Sequence, residues 1–325
     1  MFVLGIETSC DETACAVVED GRWIHSNVVA TSLKEHSKFG GIIPEIASRR
    51  QLELISAVAQ TSLERASLTL KDINAIAVTR SPGLIGSLLV GLSYARALSF
   101  ATKKTLVEVD HIKAHLYANF LENFSNKESP KEFPKLPAIG LIVSGGHTNL
   151  YLMKSPTDYK LLGQTRDDAA GEAFDKVSRI LGLGYPGGPA IDRIAKEGAN
   201  NRLRFPSAAM EGTNDFSFSG VKTAVLQYHQ KHKATSKTDL AQIAYSFQES
   251  VVSILVKKSI ALCLQKRIKT LLIGGGVAAN STLRQKLNEE GKKNGIKIFV
   301  PPMGLCLDNA AMIGGSGYPQ LKKTK

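Results

Sequence analysis

Residues 138–153 read AIGLIVSGGHTNLYLM, and this stretch decides the fold. Apolar, partly β-branched residues from Ala138 to Val143 make a strand. A small polar turn, Ser144–Thr148, interrupts it, and an apolar stretch resumes to Met153, which is the pattern of a β-hairpin. The N-terminus repeats the order. FVLGIETSC (2–10) is a strand ending in a polar turn, and TACAVVED (13–20) is its return strand, with Gly5 and Gly140 in matching places. A second echo lies downstream of each hairpin. INAIAVTRSPGLIGSLLVGL (73–92) and IKTLLIGGGVAANSTLRQKL (268–287) both give strand, Gly-rich turn, helix. Two halves with the same order of parts predict a duplicated α/β unit.

A duplicated hairpin unit with a ligand cleft between two lobes is the layout of the actin, sugar-kinase and heat-shock ATPase group. There the turns face the cleft, and glycine lets their backbone N–H groups approach phosphate oxygens. The polar segment NFSNKESPKEFPKLP (123–137), with Pro130, Pro134 and Pro137, reads as the linker. It predicts lobes at 1–135 and 136–325, with the helix after Asp308 able to pack back on the first lobe. Between hairpin and linker, Pro44 opens a long amphipathic helix, EIASRRQLELISAVAQTSLERA (45–66). A helix through Leu88–Phe100 and a strand TLVEVDH (105–111) follow.

The 325 residues include 41 Lys and Arg against 29 Asp and Glu, a net charge of +12. That balance favours an anionic partner, nucleic acid foremost. Cys10, Cys15, Cys263 and Cys306 form no C-x-x-C pair, which argues against a disulfide framework and for a reducing cytoplasm. MFVLGIETSCDE has no basic n-region, so no secretory leader is expected. The most apolar helical stretch, LIGSLLVGLSYARALSFA (84–101), carries Arg96, and no membrane span is expected.

VDHIKAHLYA (109–118) sets His111 and His115 four residues apart, one turn of a helix over 110–121, on one face. Either they are two ligands of a divalent ion or two ordinary histidines beside the core stripe of Ile112, Leu116 and Phe120. A zinc peptidase needs H-E-x-x-H with Glu as general base. Ile112 stands at that position and Leu121 where a third histidine would fall, so proteolysis is excluded. Asp308, in PPMGLCLDNAAMIGG (301–315), is either a third ligand reached across the cleft or the N-cap of its own helix. Two histidines and a carboxylate would leave an open position on Fe2+ or Zn2+.

Gly-rich turns at Ser144–Thr148, Gly184–Asp192 and Gly274–Asn280 fit no P-loop pattern and suggest another nucleotide cradle. Asp192 either binds ribose hydroxyls or is helix first-turn charge, and Asn280 either reads a ligand edge or caps its helix. Asp168, Glu172 and Asp175 share a helical face at i, i+4, i+7 and read by default as a solvated acidic surface. Phe216 and Phe218 read as core, and Lys222 as a phosphate ligand or a surface lysine.

Together, GIETSCDETACAV, TRSPGLIGSLLVG, VDHIKAHLYA, VSGGHTNLY, DDAAGEAFDKVSRILGLGYPGGPAID, DFSFSGVKTAV, GGVAANSTLR and CLDNAAMIGG resemble the bacterial TsaD family from Gly5 to about Gly315. These are tRNA N6-adenosine threonylcarbamoyltransferases, once described as endopeptidases. The resemblance implies the duplicated actin-like fold. It implies transfer of threonylcarbamoyl from threonylcarbamoyl-adenylate to N6 of adenosine-37 in tRNAs reading codons that begin with A, releasing AMP. It implies one iron or zinc ion on His111, His115 and Asp308. Ile142, Val143, Ser144, Gly145 and Gly146, with Asp175, Gly188, Asp192 and Asn280, would hold the adenylate and its arm. Glu12 would lie near the reaction as base or positioner. A paralogous actin-like protein and a small ATPase would be partners, and Leu307 replaces the family's common Thr before the metal-binding Asp. An actin-like small-molecule kinase or ATPase is the alternative, but it gives no reason for the histidine pair.

Overall fold

In the computed structural model, which describes residues 1–199, 202–206, 210, 212–232 and 236–323, the N-terminal hairpin is β1 (Phe2–Glu7) and β2 (Glu12–Glu19). β3 (Trp23–Thr31) continues the antiparallel meander. A short α1 (Leu33–Ser37) leads to α2 (Pro44–Arg65), whose proline stands in the first turn, where no N–H partner is lost. β4 (Ala75–Ser81), α3 (Ile85–Thr102) and β5 (Thr105–Asp110) add two strands parallel to β1. α4 (His111–Tyr117) follows β5 directly, and β6 (Glu122–Asn123) closes the edge. The sheet order is β5-β4-β1-β2-β3-β6.

The second sheet repeats this plan. β7 (Ala138–Val143), β8 (Thr148–Ser155) and β9 (Asp158–Gln164) form its meander. α5 (Ala170–Ile180), α6 (Gly187–Ala195), α7 (Ser219–His232) and α8 (Lys237–Lys266) precede β10 (Thr270–Gly274), α9 (Ser281–Asn294) and β11 (Lys297–Phe299). Its order, β11-β10-β7-β8-β9, matches β5-β4-β1-β2-β3 strand for strand. Register agrees too: Gly5 lies opposite Ala77 and Gly140 opposite Leu272, equivalent positions of the two echoing segments. The hairpin turns differ, because Glu7 pairs with Ala14 whereas Val143 pairs with Thr148, leaving the first turn longer.

Period-two alternation divides β1 between two faces. Leu4 and Ile6 join Ile55, Val58, Ala59 and Ala95 in the core under α2 and α3. Gly5 and Glu7 point the other way, where the C-terminal helix lies. That helix groups with the first lobe, the return allowed for the segment after Asp308. Pro301–Lys325, with α10 (Met303–Cys306) and α11 (Ala310–Lys323), groups with Met1–Pro134, and Lys135–Val300 forms the other unit. The reason is close backbone contact. A Cβ on Gly5 would lie 2.2 Å from the Ala310 carbonyl oxygen and 2.6 Å from the Gly314 amide. Only glycine lets α11 approach β1 this closely.

The 123–137 segment is less free than a linker need be. Arg22 donates to the Lys131 carbonyl and its guanidinium lies 3.8 Å from the Phe133 ring centre. α3 has the length and apolar composition to cross a membrane. Its Ser87, Gly91 and Ala95 are buried, and its Arg96 pairs with Glu108 of β5 at 2.8 Å.

Candidate metal centre and ligand-binding turns

α4 begins where β5 ends, and the Asp110 carboxylate caps it by accepting from the Lys113 amide at 3.0 Å. The cap fixes the first turn, so His111 and His115 project together, their ring centres 4.8 Å apart. Beyond Tyr117 the helix tightens to a 3-10 turn at Ala118–Phe120, shorter than the expected 110–121. Asp308 comes to both rings: its Oδ1 is 3.2 Å from His115 Nε2 and 3.5 Å from His111 Nε2. It does so from within the first unit, on the loop before α11, and not from an opposing lobe. Nor is it the helix cap. Asn309 takes that role, accepting from the Met312 amide at 3.0 Å. The exposed Leu307 contributes its carbonyl, which accepts from Asn309 Nδ2 at 2.8 Å.

The three donors fit a divalent ion. They lie within 4.8 Å of one another. A tetrahedral ion with bonds of about 2.1 Å separates its ligand atoms by about 3.4 Å, close to the two distances above. Both ring nitrogens of His115 are buried without a hydrogen-bond partner, an arrangement that costs stability unless something ligates the ring.

One residue here was missed from sequence. Glu7, fully buried, places Oε2 3.0 Å from His111 Nδ1 and also accepts from Thr79 Oγ1 and the Ser9 amide. Ser9 Oγ lies 3.1 Å from the same Nδ1. Burial alone would lower the His111 pKa, but the Glu7 and Asp308 carboxylates outweigh it and raise it to about 9. Gln51 of α2 holds the turn that carries Ser9, donating to the Cys10 and Glu12 carbonyls at 2.9 Å each. Glu12 opens β2 in this unit. Burial, then the charges of Asp308 and Asp11, push its carboxyl well above the ordinary carboxylate range.

In the second unit the predicted ligand residues separate by role. Ile142 and Val143 are fully buried at the end of β7, where they pair with Asn149 and Thr148 of β8 and carry the turn. The Ser144–Thr148 turn is closed by the Ser144 amide donating to the His147 carbonyl at 2.8 Å. Gly145 and Gly146 have open space where a Cβ would sit. Gly171 at the start of α5 packs on this turn, its amide donating to the Ser144 carbonyl at 3.1 Å. Gly275, with φ +92°, lies against the Val143 carbonyl, so a second Gly-rich turn meets the first. Gly188 is likewise uncrowded.

Three side chains have structural duties. Asp175, its pKa raised by burial, accepts from the Gly187 amide at 2.7 Å and ties α5 to the start of α6. Asp192 accepts from Ser281 Oγ at 2.9 Å. Asn280 caps α9 through the Leu283 amide at 2.9 Å, and its Nδ2 donates to Gln248 at 2.7 Å. Its amide is thus engaged within the protein. The acidic face is also corrected. Asp168 precedes α5 and pairs with Lys176 and Lys222, Glu172 pairs with Lys176, and Asp175 is the tie just described. Phe216 and Phe218 are both fully buried.

Comparison with solved structures agrees with the architecture. HypF from T. kodakarensis superposes with a TM-score of 0.65 at 15% identity, over 99% of this chain and 48% of that one. Component A of the Acidaminococcus fermentans (R)-2-hydroxyglutaryl-CoA dehydratase gives 0.55 at 14% identity, over 99% of each. These likenesses define an α/β protein of the actin-like ATPase and sugar-kinase fold class.

Sequence comparison narrows the class. The family described as TsaD, tRNA N6-adenosine threonylcarbamoyltransferase, matches residues 24–315. The protein of that name from Clostridium botulinum (strain 657 / Type Ba4) is 52% identical over 97% of this chain and 91% of its own length. That from Caldicellulosiruptor bescii is 51% identical over 99% and 94%. The chain belongs to the TsaD family of tRNA N6-adenosine threonylcarbamoyltransferases.

Proposed function

We propose that this chain transfers threonylcarbamoyl from threonylcarbamoyl-adenylate to N6 of adenosine-37 in tRNAs reading codons that begin with A, releasing AMP. The observation that carries the reading is the clustered donor set of buried His111 and His115 and half-buried Asp308 in a chain of this family. The donor is a mixed carbamic–phosphoric anhydride. The N6 amine attacks the carbamoyl carbon, a new C–N bond forms, and the bond from carbon to the phosphate oxygen breaks. AMP leaves with that electron pair, and the proton of N6 passes to a carboxylate or water. No enzyme nucleophile is needed.

His111, His115 and Asp308 would hold one iron or zinc ion, which supplies Lewis acidity toward a carbamoyl or phosphate oxygen. Asp11 and Glu12 lie on the same turn and strand start, where Glu12 would position or relay a proton. The Ser144–Gly146 backbone would cradle the adenylate, with Gly188 leaving room for it, because glycine permits close approach. Asp175, Asp192 and Asn280 would then shape that cradle through the helices they tie. The net charge of +12 suits a tRNA backbone, so binding should weaken with salt. A tRNA substrate and four free cysteines fit the cytoplasm.

The test is to incubate purified chain, its partners, threonylcarbamoyl-adenylate and unmodified tRNA, and to measure position 37 by mass spectrometry. Modified adenosine is expected, and its absence would overturn the reading. A phosphorylated small alcohol made from ATP would instead support the kinase alternative, which the family relationship does not favour.

A paralogous actin-like protein and a small ATPase are the proposed partners. Ile85 and Leu89 of α3 and Leu52 of α2 are exposed apolar side chains, 78%, 58% and 70% accessible. Such exposure suits a protein interface. Leu89→Glu should abolish co-purification of the paralogue, while the isolated chain's stability stays within about 0.5 kcal/mol, as for a surface change. Undiminished co-purification would place the interface elsewhere.

A further inference from the structure

We propose that Glu7 is a positioning residue that sets the tautomer and aim of His111, so that Nε2 is delivered as a metal ligand. The inference rests on the metal reading above and concerns how the chain prepares for the ion. Glu7 is fully buried at the end of β1, on the face that β1 turns toward α4 and α11. Oε2, already taking a hydrogen bond from Thr79, accepts from His111 Nδ1 at 3.0 Å, so that nitrogen keeps its proton and Nε2 faces the metal position. Metal binding then displaces the proton of Nε2, the nitrogen 3.5 Å from Asp308 Oδ1.

The carboxylate is itself held on both oxygens. Oε1 accepts from the Ser9 amide, and Oε2 accepts from Thr79 Oγ1 on β4 as well as from His111. Neighbouring backbones leave the Ser9 turn little freedom. The Leu84 amide donates to the Ser9 carbonyl at 2.8 Å, and a Cβ on Gly83 would lie 2.5 Å from that oxygen. His115 has no comparable support, since neither of its nitrogens has a hydrogen-bond partner. The two ligands therefore differ: His111 is held from behind by Glu7, whereas His115 faces Asp308 Oδ1 at 3.2 Å, the carboxylate that would share the ion. A carboxylate behind a metal-bound histidine raises the basicity of the imidazole and fixes its plane, and losing one weakens binding by about 10- to 100-fold.

The experiment titrates the metal-free full-length chain with Zn2+ against a chromophoric chelator. It also records the visible spectrum of the Co2+ form. Glu7→Gln should bind Zn2+ about 10- to 100-fold more weakly and shift the Co2+ bands, because the His111 donor is altered. Wild-type affinity with an unchanged Co2+ spectrum in Glu7→Gln would overturn the inference and leave the metal centre standing. No Zn2+ binding by the wild-type chain would overturn both. If Glu7→Gln does not fold, Thr79→Val carries the test, since it keeps the shape and removes one donor to Oε2. A severalfold loss of Zn2+ affinity is expected from it, and wild-type affinity would count against Glu7.

Discussion

His115→Ala combined with Asp308→Asn abolishes transfer to adenosine-37, lowering the rate by about a thousandfold or more. A Lewis acid at a developing charge contributes several kcal/mol, and each 1.36 kcal/mol is a factor of ten. These two positions are chosen because their loss leaves little else broken. Removing His111 would take a hydrogen-bond partner from the fully buried Glu7, and an unsatisfied buried polar group costs about 1–3 kcal/mol. His115 leaves no such orphan, because the carboxylate 3.2 Å from its Nε2, that of Asp308, is changed with it. The variant should therefore keep its thermal midpoint and lose its metal and its activity together. The mass-spectrometric assay, with metal content on the same sample, checks this. Full activity in a metal-free variant would show that the ion plays no part in the transfer.

Gly5→Val gives the second large effect, and it is one of structure. Its Cβ would stand 2.2 Å from the Ala310 carbonyl and 2.6 Å from the Gly314 amide, both backbone atoms that cannot rotate away. α11 must lift from β1, and Asp308 lies just before that helix. Forcing side-chain bulk into such packing costs about 1–3 kcal/mol and occasionally more. At the upper end this lowers the thermal midpoint by roughly 6–12 °C for a unit of this size. Metal affinity should fall as well, because the carboxylate moves while the histidines stay. Thermal denaturation followed with and without Zn2+ tests both parts. An unchanged midpoint would mean that α11 does not rest on β1 as described.

The duplicated plan was legible because its signals are local. Strand alternation, turn residues and a repeated strand–turn–helix order can all be read without knowing what packs on what. The histidine pair was legible for the same reason, since i and i+4 meet on one helix. Glu7 was not. Its link to His111 exists only once β4 lies between β1 and β5 and brings α4 beside the end of β1. The one available signal was an acid closing an otherwise apolar strand on the same face as Gly5. Asp308 was found as a residue and the return of its helix to the first lobe was allowed, but its reach was expected across a cleft, because nothing local says which unit a C-terminal helix will join. The spacing of Gly5, Gly314 and Gly317 carries that information only when β1, β4 and α11 are seen together. Asp175, Asp192 and Asn280 read as ligands because carboxylates and amides beside Gly-rich turns look alike whether they meet a substrate or a helix end. Backbone amides at helix starts need partners, and in all three cases the side chain supplies one.

Removing and restoring the metal tests the central claim most directly. The full-length chain is stripped with a chelator under anaerobic conditions and mixed with its partners, threonylcarbamoyl-adenylate and unmodified tRNA. It is then assayed before and after one equivalent of Fe2+ or Zn2+. The account predicts negligible modification of adenosine-37 from the stripped chain and recovery on adding the ion, with no recovery in the His115→Ala, Asp308→Asn variant. A stripped chain that modifies tRNA as fast as the restored one would contradict it.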